Sequence, residues 1–170
     1  MTNYKLFDCQ RMFRHACAFA DCADLALSEF DPRNDDVEWY TTPATVNSAF
    51  ACEVFLKTLM KYYDIPFEKL LPVKDRHKIK ELYELLPEDS KNWIKATVTD
   101  RYGVWTDGFG RELLESISNA FVDWRYNYEH GEGKRCTLNN YILFLRDFRN
   151  TLREACCWSF FGKTWEEYKR

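Results

Sequence analysis

Glycine and proline are scarce in this 170-residue chain, with six of one and five of the other. So few turn-formers disfavour a sheet protein that must reverse direction every few residues. No stretch approaches the roughly 20 consecutive apolar residues that span a bilayer. Met1 to Gln10 holds no apolar signal core, so a soluble, cytoplasmic protein without membrane attachment is expected. No βαβ alternation and no glycine-rich phosphate loop is present, which leaves Rossmann and P-loop nucleotide binding without support. No cysteine pair has the two-residue gap of a redox motif or a zinc knuckle, although there are seven cysteines. Cys17 and Cys22 lie four residues apart with no second pair to complete a zinc set. The expectation is reduced, mostly buried thiols and no metal or other cofactor. A large net charge is missing too: 24 basic residues stand against 27 acidic ones, for a net charge of -3. Any grip on nucleic acid must then come from a local patch.

What is present is a core-forming, helix-forming composition. Hydrophobic residues make up 46% and aromatics 17%, enough for one packed domain over residues 1–170. Leu6, Phe13, Cys17, Ala20 and Leu27 recur at helical spacing and predict a helix from about Tyr4 to Phe30. The polar run Asp31 to Asp36 reads as a loop. Thr42 before Pro43 reads as a cap opening the most apolar helix, which runs to about Tyr63. Further helices are predicted over Asp75–Leu86, Pro87–Tyr102, Arg111–Glu129 and Thr137–Phe160, with Trp105 to Gly110 as a loop. Gly162 is expected to end the last long helix, and Trp165 and Tyr168 to pack back on the body. The layout is all-α: an up-and-down bundle of four to six helices.

Few residues carry chemistry. One of three histidines, His130, sits five residues after an arginine in Arg125-Tyr126-Asn127-Tyr128-Glu129-His130. A fixed cation and a group titrating near neutrality can hold a phosphate and move a proton. On an ideal helix five residues is about 500°, so the two side chains diverge unless the helix ends near Gly131 or a second subunit completes the cleft. Arg125 and Glu129, one turn apart, can instead form a plain ion pair. Glu53 is the lone acid inside the apolar helix and needs a partner. Lys57, one turn on, and Arg125 are the candidates. Arg146, Arg149 and Arg153 share a helical stripe that suits either an RNA backbone or plain solvation. Trp124, Tyr126 and Tyr128 suit base stacking or core packing.

Three ordered segments together resemble the HEPN family (higher eukaryotes and prokaryotes nucleotide-binding domain). They are Ser48 to Leu59, with its small-apolar-Glu-apolar-Leu-Lys pattern; Arg76 to Leu86, similar to a short His-initiated helix; and Phe121 to His130, matching Arg-x4–6-His. The family-like core spans about 43–160. The resemblance implies a helical bundle that forms a homodimer, with its Arg and His motifs meeting at the interface. Active relatives are metal-independent endoribonucleases of toxin–antitoxin and phage-defence systems, some held by an antitoxin protein. Carried onto this chain, Arg125 would stabilise charge on the scissile phosphate. His130 would assist proton transfer as the RNA 2′-hydroxyl attacks. Asn127 would bind RNA or hold His130, Glu53 would orient Arg125, and Tyr126 would support the site. His77, at the start of the second segment, would pack or cap. The alternative is a catalytically silent helical module that binds a nucleotide, RNA or a protein.

Overall fold

The computed structural model describes residues 3–29, 37–102, 107–125 and 138–170, with side chains over 4–29, 39–100, 110–124 and 141–170. Among these residues all regular structure is helical, with no strand. In chain order the helices are α1 (Asn3–Ser28), α2 (Val37–Tyr62), α3 (Phe67–Leu70), α4 (Ile79–Glu84), α5 (Glu88–Tyr102), α6 (Asp107–Ile117), α7 (Ala120–Arg125), α8 (Leu138–Phe161) and α9 (Trp165–Lys169). A single 3₁₀ turn, Val73–Asp75, precedes α4. The described helices outnumber the four to six expected because connections read as irregular contain short helices, and because one long helix is divided.

Helix α2 is the centre of the bundle, packing against α1, α4, α7 and α8. Ala49, Ala51, Cys52, Phe55, Leu56, Leu59 and Met60 are all buried, so apolar residues surround its axis. A helix that is apolar all round belongs inside a protein. Its start departs from the sequence reading. Pro43 does not open the helix but lies inside it, six residues past Val37. An interior proline costs about 3 kcal/mol, because it has no N–H for the carbonyl four residues earlier. Burial of Thr41, Ala44, Thr45 and Ser48 around it shows that tertiary packing outweighs the local preference.

The predicted helix over Arg111–Glu129 is likewise interrupted, at Ser118–Asn119 between α6 and α7. The break has a use. The Ser118 carbonyl accepts the Ile79 N–H at 3.0 Å, and Ser118 Oγ accepts the Lys80 N–H at 3.2 Å. These are the orphan amides at the start of α4, satisfied by a neighbour instead of by a cap of their own. Asp107 to Gly110, read from the sequence as loop, instead form the first turn of α6.

The C-terminal end matches expectation. Gly162 adopts φ +62°, in the left-handed region, and its N–H bonds the Trp158 carbonyl at 3.1 Å. Thr164 and Glu167 form a reciprocal capping box that starts α9. Helix α9 then lays Trp165 and Tyr168 edge-on against Phe13, with ring centroids 6.2 and 5.6 Å away. Cys9, Cys17, Cys52, Cys156 and Cys157 are buried free thiols, while Cys22 is exposed.

Candidate functional site

Glu53 is 3% exposed, in the middle of α2. Its Oε1 accepts from Lys57 Nζ at 2.7 Å and pairs with His77 Nδ1 at 2.9 Å. Its Oε2 is buried and has no hydrogen-bond partner among the described residues. Of the two partners considered for Glu53, Lys57 is therefore present, reached by the one-turn spacing within α2. The Lys57 ammonium lies over the Phe67 ring, 5.3 Å from its centroid, a cation–π contact.

His77 is the partner of Glu53 that the sequence did not indicate. It lies just before α4, and its side chain remains 59% exposed although Nδ1 is engaged. A carboxylate accepts and never donates, so Nδ1 carries the proton. The neutral ring then has its lone pair on Nε2, the nitrogen left for solvent. A carboxylate fixing a histidine tautomer in this way also occurs in hydrolytic triads and around metal-bound histidines. Nothing local in the sequence signals the pair, because 24 residues separate its members. The one available clue was a lone acid in an apolar helix, in need of a partner.

Two further segments of the chain pack on the helices that hold this pair. Phe50, one turn before Glu53, packs on Phe121 of α7 with ring centroids 5.1 Å apart. The Ser118 turn that leads into α7 holds Ile79 and Lys80, two and three residues past His77. The Lys80 ammonium also pairs with Glu115 of α6. Arg125 is the last residue of α7, one turn after Phe121. Trp124, beside it, packs on Tyr141 of α8 with centroids 6.1 Å apart, a core use of that ring. The Arg125 side chain, Tyr126, Asn127, Tyr128 and His130 lie outside the described residues.

The basic stripe on α8 is not a surface. Arg149 is completely enclosed, donating to Ser48 Oγ at 2.9 Å and pairing with Asp24 of α1. Arg153 is 7% exposed; it pairs with Asp21 at 3.3 Å, bonds Asn150 at 2.9 Å and lies 4.5 Å over the Trp165 ring. Arg146 alone keeps a partly exposed side chain, paired with Asp147 at 2.9 Å. Burial holds the Asp147 carboxyl above its usual range, against the pull of Arg146. Two of the three arginines expected to face RNA or solvent, Arg149 and Arg153, therefore bind α8 to α1, and Arg149 also to α2. Acids on α1 reach over α8, a pairing that spacing along α8 cannot reveal.

Among the described residues no group of three or more His, Cys, Asp or Glu side chains is arranged to hold a metal ion. None of the described helices is long and apolar enough to cross a membrane. Comparison with family models, with curated proteins and with solved structures finds no match to this chain.

Proposed function

We propose that this chain is a HEPN-like RNA-binding domain that works as a homodimer. It cuts RNA without a metal ion, in the manner of a toxin–antitoxin or phage-defence endoribonuclease, with an antitoxin protein as its natural restraint. Arg125 stabilises charge on the scissile phosphate, and His130 moves a proton in the same step. Asn127 positions RNA or His130, and the Tyr126 ring supports the site. The observation that carries the reading is that the three family-like segments converge on one helix. They are far apart in sequence, yet α2 packs against both α4 and α7, with His77 on Glu53 and Phe121 on Phe50 one turn earlier.

The test is RNA incubation in excess chelator with wild type, Arg125→Ala and His130→Ala. Wild type is expected to cleave. Each variant should lose about 100-fold or more, the usual effect of removing one proton-transfer group or charge-stabilising donor. A wild type that cuts no RNA removes the enzymatic reading.

A second reading follows from Tyr126. Active members of the family usually carry a polar residue directly after the arginine, and this chain carries an aromatic one. On that reading the domain binds RNA, a nucleotide or a protein without catalysis. Unchanged RNA cleavage in His130→Ala, with the dimer intact, would favour it.

A further inference from the structure

Away from Glu53, the end of α2, the start of α5 and the last turns of α8 border one hollow of about 270 Å³. Three aromatic residues line it: Tyr63, Trp93 and Trp158. All three keep open surface, 37%, 38% and 52% exposed respectively. Packing alone favours deeper burial of rings this large. Leu59 and Ala155 also line the hollow, one helical turn before Tyr63 and Trp158. Leu59 is buried and lies deepest, and the small Ala155 side chain leaves the space unfilled. The Ser90 hydroxyl donates to the Tyr63 phenol oxygen at 2.9 Å, which ties the start of α5 to the end of α2.

The charge comes from Asp89, one turn before Trp93 and exposed at the same hollow. Among the described residues Asp89 makes no ion pair. The nearest cation along the chain, Lys91, is already paired with Glu88 at 2.6 Å and with Glu84 at 3.5 Å. One carboxylate without a counter-ion therefore shares a hollow with three partly open rings.

We propose that this hollow binds a compact alkylated ammonium group, of the trimethylammonium type. Aromatic rings and a carboxylate both attract a cation. A bare ammonium carries three N–H donors and a guanidinium five, and each loses its water on entry. The hollow offers one carboxylate and the Ser90 and Ser159 hydroxyls against that demand. A trimethylammonium has no N–H to satisfy. Its methyl groups contact the rings while its charge meets Asp89. A neutral guest of the same shape gains the apolar contact but leaves the carboxylate unmatched. Size agrees, because the hollow is smaller than the roughly 300–1,000 Å³ of pockets for drug-sized ligands and suits a head group. The site uses neither Arg125 nor His130, so it stands whether or not the chain cuts RNA. The same head group occurs on free choline and on an Nε-trimethyllysine side chain, and the test separates these sources.

The experiment titrates the intact protein while the indole ¹H–¹⁵N signals of Trp93 and Trp158 are followed by NMR, each assigned from its Trp→Phe variant. The probes are choline, ammonium chloride, 3,3-dimethylbutanol as the neutral analogue of choline, and a short Nε-trimethyllysine peptide. Choline should shift both signals saturably with a Kd of about 1 mM or tighter. Ammonium and the neutral alcohol should bind at least about 10-fold more weakly. Asp89→Asn should weaken choline by about 5-fold or more and leave the alcohol unchanged, a split that a merely structural role would not produce. Ala155→Leu fills the hollow without touching a ring, and should abolish choline binding with Tm equal or higher. Trp158→Ala, at a mostly exposed ring, should weaken choline with helicity intact. A peptide that binds more tightly than choline identifies a side chain as the guest, and a weaker one a free small molecule; both agree with the site. Equal affinity for choline and the neutral alcohol overturns the proposal, as does the absence of saturation by about 50 mM choline. Unchanged choline affinity in folded Ala155→Leu or Trp158→Ala overturns it as well, since binding then lies elsewhere.

Discussion

Arg149 is the largest side chain that the core encloses completely. Its guanidinium joins α8 to Ser48 of α2 and to Asp24 of α1, so three helices converge on one charge. Arg149→Ala should therefore cost about 3 kcal/mol or more, from the void and the broken pair together. The midpoint of urea unfolding measures this, and an unchanged midpoint would restore the surface reading of that arginine. Arg149→Lys should fall between the two, since an ammonium lacks the fork that reaches both partners. At this scale the sequence was only partly informative. Spacing within one helix correctly paired Lys57 with Glu53. It could not pair Arg149 with Asp24, 125 positions away, or His77 with Glu53. A contact between elements depends on how helices pack, and no local periodicity encodes that.

Helix ends were legible wherever the residue itself dictates the backbone. Gly162 was expected to end the last long helix, and its φ of +62° does so. A Cβ built there meets nothing within 4 Å, so Gly162→Ala isolates the backbone penalty. That substitution should cost about 1–2 kcal/mol, seen as a lower Tm. Thr164→Ala removes the capping box and should cost about 1 kcal/mol, with Trp165 fluorescence reporting early loosening of α9. No change in either variant would mean that α9 is held by its aromatic contacts alone. Two of the misread elements share one physical cause. Pro43 opens a helix by preference yet lies inside α2, and the stretch after Arg111 has helical periodicity yet breaks at Ser118. In both places a partner element decided: burial around Thr41, Ala44 and Thr45 in the first, the exposed amides of α4 in the second. Of the proposed site, Glu53 was legible as an acid out of place, whereas its histidine partner required the fold.

For the molecule as a whole, the buried thiols give a pH prediction. Burial pushes Cys17, Cys52 and Cys157 up to about 12, and Cys9 and Cys156 in the same direction. Free in the unfolded chain, they ionise near about 8.5. The unfolded state therefore loses protons first as pH rises. Their contribution is intact below about pH 8.5 and drains away toward pH 12. Urea midpoints taken across pH 8 to 11 should fall steadily, and a flat profile would contradict this burial. At neutral pH, iodoacetamide should label Cys22 quickly and spare those five until the protein unfolds.

The same whole-molecule scale holds the central claim, that an arginine and a histidine of a paired subunit cut RNA without a metal. The direct measurement is the chemistry of the cut ends after incubation with the intact protein in excess chelator. The account predicts 2′,3′-cyclic phosphate and 5′-hydroxyl ends from wild type, and neither from Arg125→Ala. Intact RNA with wild type, or 5′-phosphate ends that form only when a divalent cation is restored, would contradict it.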